Sequence, residues 1–281
     1  MADNLFSQLD KIGLGMLRNI DLYETDVKPA NKNVPEETAE KQVMETDFLF
    51  DKGFKCPVCD ADFKVKAVKT GKAKLLGIDS DLRPKYQGVD ALKYDCIACP
   101  KCGYAALSRF FNYITNVQAK AIQANISAAF REDNERNEVY SYDDAVMKHQ
   151  LALANAVVKK SKPSEKAYIC LKLAWLMRGK AENLPADTDD REQVLKETKI
   201  QEQQYIENAY RGFLSAMSKE VFPICGMDEW TYVYLVADLA RQCEDYTTCA
   251  KLVSDIIVSK EASSKLKEKA RDLRKSIKEK I

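Results

Sequence analysis

The chain has 281 residues, of which 46% are hydrophobic and 31% are charged, a composition typical of a folded protein with a substantial core. Its 44 lysines and arginines nearly balance its 43 aspartates and glutamates, which argues against a protein that coats nucleic acid or an anionic membrane with its whole surface. No apolar run approaches the roughly 20 residues that span a bilayer. Nine cysteines cannot all pair, and no signal-like apolar stretch follows Met1, so we expect a reduced, cytoplasmic protein without membrane association.

Residues 1–46 are predicted to form an amphipathic segment followed by a polar linker. Apolar side chains recur at helical spacing at Leu5, Leu9, Ile12 and Met16. From Val27 to Thr46 the composition becomes polar and acidic, and it includes Pro29 and Pro35. We expect the amphipathic segment to pack on the rest of the protein or to bind a partner.

Residues 47–104 contain the strongest chemical signal, two Cys-x-x-Cys pairs. The four thiols are those of Cys56, Cys59, Cys99 and Cys102. Two residues between paired cysteines let one tight turn direct both sulfurs at a single point, and four such ligands complete a tetrahedral zinc site. We therefore predict one structural Zn²⁺ per chain in a small zinc-ribbon-like β module. An iron-bearing or redox site and four unligated thiols are the alternatives.

Cys96 complicates this assignment, because Cys96 and Cys99 also have the required spacing. Only the pair Cys99 and Cys102 encloses a proline and is followed by a glycine, Gly103, which adopts positive φ without steric cost. Cys96 is therefore predicted to be a spare thiol beside the site or an alternative ligand.

The segment between the two cysteine pairs contains predicted strands and a polar loop. Phe63, Val65 and Ala67 alternate with lysines, which predicts a strand, and Leu92 and Tyr94 suggest a second one. The loop between them contains four polar or aromatic residues, Asp79, Asp81, Arg83 and Tyr86. They are interpreted either as a turn held by aspartates and an Arg–Asp pair, or as a polar ligand site.

Residues 105–281 show helical periodicity throughout, which predicts an α+β protein that is mostly α. The predicted helices cover Ala105–Phe130, a second helix capped by Ser141, a third that begins at Pro163, residues 187–219, and a pair within residues 230–259. That last pair is similar to one tetratricopeptide-type helix pair, and an irregular helical bundle is the alternative. His149 lies on the apolar stripe of the second helix and is interpreted as a core histidine.

The motifs CPVC, DSDLRPKY and CPKCGYAA, followed by a helical second half, resemble the bacterial DUF2225 family of uncharacterised cytoplasmic proteins. The resemblance covers roughly residues 46–260. It implies a zinc-ribbon-like front and an antiparallel, tetratricopeptide-like helical back, and it maps the family's paired cysteines onto the four named above. The family has no established activity.

Three classes of function follow from these features, and the first is a zinc-stabilised scaffold whose helices bind a protein or peptide. The second is nucleic-acid binding through the basic face of residues 52–74, which contains seven lysines with Phe54 and Phe63 among them. The third is an enzyme that uses Cys96 or the loop of Asp79, Asp81 and Arg83. An enzyme is the less favoured class, because the chain has one histidine and no phosphate loop or dinucleotide fingerprint.

Overall fold

A computed structural model describes residues 44–132 and 137–280, which belong to one compact unit, Val43–Ile281. The predicted N-terminal helix and nearly all of the predicted linker lie outside the described residues. The protein is mostly helical, with small antiparallel strand pairs followed by a helical domain, which confirms the predicted fold class. The division into a β module at 47–104 and a helical domain at 105–281 stays a prediction.

Six short strands form three separate antiparallel hairpins. They are β1 (Leu49–Lys55) with β2 (Asp62–Val68), β3 (Leu75–Ile78) with β4 (Pro84–Tyr86), and β5 (Cys96–Ala98) with β6 (Ala105–Leu107). In the first hairpin Phe54 lies opposite Phe63, and in the third Ala98 lies opposite Ala105. The turns of these two hairpins contain the two cysteine pairs, so the strands deliver each pair on a defined loop.

Seven α-helices follow the hairpins in the described part of the chain. They are α1 (Asn116–Ile122), α2 (Tyr142–Val158), α3 (Pro163–Glu182), α4 (Arg191–Met217), α5 (Glu229–Gln242), α6 (Tyr246–Val258) and α7 (Ser264–Ile277). From α2 onward, each helix packs against the next one in the chain. None of the described helices is long and apolar enough to cross a membrane.

The predicted starts of two helices are confirmed. The Ser141 hydroxyl accepts a hydrogen bond from the Asp144 amide at 3.0 Å, and the Asp144 carboxylate accepts one from the Ser141 amide at 2.8 Å. Pro163 occupies the first turn of α3, where its missing N–H leaves no partner unsatisfied. The helix over 187–219 and the helix pair within 230–259 are also present, as α4 and as α5 with α6.

Two predicted elements are wrong. The helix predicted over Ala105–Phe130 begins instead with strand β6, and its helical part covers only Asn116–Ile122 and a wide turn at Gln123–Ser127. Strand β6 forms because Ala105 and its neighbours pair with β5 to close the second cysteine turn. The strand predicted at Leu92 and Tyr94 is also wrong, because these residues lie in a 3-10 turn at Ala91–Tyr94. Asp90 caps this turn by accepting a hydrogen bond from the Leu92 amide.

Candidate metal centre

The two cysteine turns have the same backbone conformation. In the first turn the Asp60 amide donates to the Cys56 carbonyl at 2.9 Å, and in the second the Gly103 amide donates to the Cys99 carbonyl at 3.1 Å. Asp60 and Gly103 hold equivalent left-handed positions, with φ of 59° and 71°. These turns also direct backbone N–H groups toward the sulfurs of Cys56 and Cys99, where each N–H group favours a thiolate.

The structure brings all four predicted ligands together. The Sγ atoms of Cys56 and Cys102 are 3.6 Å apart, those of Cys59 and Cys99 are 3.7 Å apart, and all four sulfurs lie within 4.8 Å of one another. Four sulfurs bound at about 2.3 Å to one tetrahedral zinc ion are about 3.8 Å apart. The two shortest separations therefore match the edges of a zinc–thiolate tetrahedron, and the four cysteines can hold a metal ion.

The electrostatics of the four thiols favour a cation among them. Hydrogen bonds from the Cys102 and Cys56 thiols hold the pKa of Cys99 far below its usual range, whereas the hydrogen bond that Cys102 makes to Cys56 raises the pKa of Cys102. The thiolate of Cys99 is thus stabilised, whereas Cys102 remains a protonated thiol. A divalent cation at the centre of the group supplies the charge that lets all four sulfurs ionise together.

A compact aromatic cluster surrounds the cysteines. The ring of Phe111 lies 5.0 Å from that of Tyr104 and 5.7 Å from that of Phe54, and neither Tyr104 nor Phe111 is exposed to solvent. The Tyr104 hydroxyl donates to the Phe111 carbonyl at 2.8 Å. Three of the four cysteines are buried and Cys59 alone is exposed, so the site lies just below the surface.

Three side chains outside the β hairpins fix the cysteine turns to the helical part of the chain. Gln123 donates to the Val58 carbonyl at 2.7 Å, Ser127 to the Cys102 carbonyl at 2.8 Å, and Asn155 to the Gly103 carbonyl at 2.9 Å. Sequence reasoning missed all three. Asn155 alone left a signal, as a polar residue within the apolar stripe of α2, where it is fully buried.

Cys96 takes no part in the sulfur cluster. It is 3% exposed, and its thiol donates to the Lys148 carbonyl on α2 at 3.2 Å. Burial raises the pKa of this thiol, so it is held in its protonated, weakly nucleophilic form. Cys96, the predicted spare thiol, therefore packs from β5 against α2.

The polar loop forms a partly buried ion-pair network with α3. Arg178 binds Asp81 at 2.8 Å and Asp79 at 3.4 Å, while Arg83 binds Glu182 at 2.8 Å. Asp81 is fully buried and Arg83 is 4% exposed, and Arg83 lies 3.7 Å from Asp79, the Arg–Asp pair that the sequence predicts. The structure thus joins three of the four loop residues in one network.

Tyr86, the fourth residue of that set, lies on β4. There it lines a cavity of about 520 Å³ together with Arg83 and Lys93. The cations of this cavity are already paired, Lys93 with Glu45 at 2.8 Å and Lys85 with Asp79 at 3.1 Å. Its lining therefore has little net charge to offer a ligand.

His149 is a core side chain, as its position on the apolar stripe predicts. It is fully buried, and its Nδ1–H donates to the Ala145 carbonyl at 2.7 Å. Burial lowers the pKa of His149 from its usual 6.5 to about 4. The imidazole is therefore neutral at physiological pH.

Three of the seven lysines on the basic face of residues 52–74 are paired within the protein. Lys66 lies 3.0 Å from Asp51 and Lys55 lies 3.8 Å from Asp60, while the Lys69 ammonium donates to the Asp47 carbonyl. The rings of Phe54 and Phe63 pack against Phe111 at 5.7 and 6.1 Å rather than standing free to stack on bases.

Comparisons with known proteins identify one relationship. Searches of the curated proteins and of the solved structures returned no match. The model of a family described as "Uncharacterized protein conserved in bacteria (DUF2225)" matches residues 49–277, which include both cysteine turns, the ion-pair network and all seven helices. The match covers most of the chain, and the protein therefore belongs to the DUF2225 family.

Proposed function

We propose that this protein is a zinc-stabilised scaffold of the bacterial cytoplasm that binds another protein or peptide through its helices. The observation that carries the proposal is the convergence of four thiols from two hairpin turns on one point, with sulfur separations of 3.6 and 3.7 Å. Four thiolates select zinc over the harder cations, and they leave no coordination position for a water molecule. The zinc ion is therefore structural.

The reduced state of the chain supports a cytoplasmic location. All nine cysteines lie within the described residues, and all nine carry free thiols. A site of four thiolates also requires a compartment that keeps its cysteines reduced.

The surface of the helices supports the interaction role. Exposed apolar side chains occur on or beside several helices, with Ile200 on α4 50% exposed, Val221 after α4 90% exposed and Val258 on α6 77% exposed. Val258 lines an apolar groove, and exposed apolar groups around a groove mark surfaces where proteins bind one another. The candidate catalytic groups, by contrast, are engaged within the protein: Asp81 binds Arg178 and the Cys96 thiol is buried.

The metal is tested by elemental analysis of protein purified without added metal. We expect one zinc per chain in the wild type and in a Cys96→Ser control, and loss of zinc in Cys56→Ser and Cys99→Ser variants. Iron in place of zinc would point to redox chemistry. Full zinc content in the Cys99→Ser variant would show that the four cysteines are not the ligand set.

The scaffold role is tested by immobilising the zinc-loaded full chain and adding bacterial lysate, with and without nuclease. We expect retained protein that survives nuclease treatment and that cross-links to residues of the helices. Retention of nucleic acid that falls steeply between low and moderate salt would support the nucleic-acid alternative instead. A chain that retains nothing would overturn the scaffold role.

A further inference from the structure

An apolar groove of about 510 Å³ lies where the end of α4 meets α5 and α6. Its walls are formed by Met217, Phe222, Trp230 and Leu252, and Val258 at its edge is 77% exposed. This volume lies within the range of sites that receive several side chains of a ligand. The groove is separate from the cysteine cluster and from the ion-pair network.

Trp230 lines the groove, and its side chain contains a buried, unpaired polar group. The indole Nε1–H is buried and has no hydrogen-bond partner in the described part of the chain. A buried indole N–H normally donates to an acceptor, and leaving it unpaired costs about 1–3 kcal/mol. The indole ring of Trp230 contributes to the wall of the groove.

The polar rim of the groove is acidic. Glu229 and Asp255 line it, and both are exposed. Neither carboxylate forms an ion pair with a residue in the ranges 44–132 and 137–280. An apolar groove flanked by two free carboxylates is complementary to an apolar surface flanked by lysine or arginine side chains.

We propose that this groove binds a basic amphipathic helix of another protein. Its apolar side chains, spaced three and four residues apart, would fill the space between Met217, Trp230 and Leu252. Its lysines or arginines would lie against Glu229 and Asp255, as charge complementarity requires. The inference rests on the scaffold function proposed above, and it specifies the surface and the chemistry of the partner.

The test uses the zinc-loaded full chain and two synthetic 14-residue helical peptides without tryptophan, one of leucine and lysine and one of leucine and glutamate in the same pattern. We expect calorimetry to show binding of the lysine peptide only. The chain has two tryptophans, and Trp175 is 3% exposed, so acrylamide quenching reports mainly on Trp230. Bound lysine peptide is expected to protect Trp230 from quenching.

A charge-reversal variant, Glu229→Lys with Asp255→Lys, assigns the binding to the groove. We expect it to bind the lysine peptide at least about 10-fold more weakly, because both rim charges turn repulsive, and to bind the glutamate peptide instead. The matched control reverses two exposed acids outside the groove, Glu261→Lys with Glu268→Lys, and should behave as the wild type.

Besides a failure of the lysine peptide to bind, three outcomes would overturn the inference. One is equal binding of both peptides, and another is equal weakening by the control reversal. The third is a self-associated chain, detected by sedimentation, that the groove reversal dissociates, because the occupant would then be a second copy. If the lysine peptide fails to bind while lysate proteins cross-link to other helical surfaces, the groove inference fails and the scaffold function stands.

Discussion

The buried imidazole of His149 makes the stability of the protein fall as the pH falls through the range of histidine titration. Burial holds its pKa at about 4 in the folded chain, against 6.5 in an unfolded one. Between these two pKa values the imidazole binds a proton in the unfolded chain but not in the folded chain, so acid favours unfolding. The contribution of His149 is complete above pH 6.5 and is lost progressively down to about pH 4.

The size of this effect follows from the difference between the two pKa values. A separation of about 2.5 units corresponds to a loss of about 3 kcal/mol, with a slope of at most about 1.4 kcal/mol per pH unit. The side chain is fully buried, and its Nε2 has no partner among the described residues that could hold a proton there. No hydrogen bond at Nε2 therefore offsets the free-energy cost of burying the imidazolium.

The assay compares urea unfolding of the wild type and of His149→Leu at intervals between pH 7.5 and 4.5. The leucine variant cannot titrate at this position, so its advantage over the wild type should grow as the pH falls. Titration of carboxylates and loss of metal affect both proteins and cancel in the difference. His149 is the only histidine, so its single imidazole NMR resonance reports the pKa directly. Parallel stability curves, or a resonance that titrates near pH 6.5, would refute the reasoning.

Three further predictions concern the ion pairs, the second cysteine turn and the metal. Arg178→Met leaves the buried Asp81 carboxylate unpaired and should lower the free energy of unfolding by about 3–5 kcal/mol in urea titrations, and adding Asp81→Asn should recover most of it. Gly103→Ala places a Cβ 2.5 Å from the Phe130 ring on a residue whose φ is 71°, and it should lower the free energy of unfolding by about 1–3 kcal/mol. The control Gly53→Ala places its Cβ in open space and should change the free energy of unfolding by less than about 0.5 kcal/mol. Removing the metal with a strong chelator at pH 7 should lower the melting temperature by roughly 10 °C or more, because a structural metal site contributes several kcal/mol of stability. Added zinc should restore the melting temperature. A metal-free chain with an unchanged melting temperature contradicts the structural role.

The cysteine cluster was predictable because its signal is local. Two residues between paired cysteines, with Asp60 or Gly103 after the second, specify a turn without reference to the rest of the chain. Gln123 and Asn155, which hold those turns in place, were not predictable in the same way. They lie 65 and 52 residues from their partners, and an isolated glutamine or asparagine on a helix has no pattern that names its contact.

The errors fall where tertiary pairing decides between elements of similar sequence. Ala105–Leu107 is a short apolar run, which fits a strand or a helix equally well until its partner β5 is known. The loop of Asp79, Asp81 and Arg83 was predicted to contain an Arg–Asp pair, and the structure shows one. Arg178, which pairs with Asp81, lies 97 residues later in the chain. Nothing in the sequence around Arg178 indicated this contact.

The metal site and the ion-pair network together explain how the segment between the cysteine turns is held on the helices. Cys59 and Cys99 are 40 residues apart, and closing a flexible loop of that length costs about 3 kcal/mol beyond a constant. A metal bound at its base would meet that cost, and the turn at the tip of the β3–β4 hairpin would then have few conformations left to lose. The buried contacts of that turn can then form, although taking Asp81 out of water is expensive.

The same turn links the metal-bearing part of the chain to the proposed binding groove. Ser80, at its centre, donates to the fully buried Asp238 on α5 at 3.2 Å, and Asp238 also accepts hydrogen bonds from Arg241 and Gln242. Burial of Asp238 on this face of α5 raises its pKa by desolvation. Helix α5 therefore contacts the hairpin turn through Asp238 and forms part of the groove wall through Trp230. In the proposed scaffold, a structural zinc would order the hairpins, and the turn connects them to the helix that lines the proposed groove.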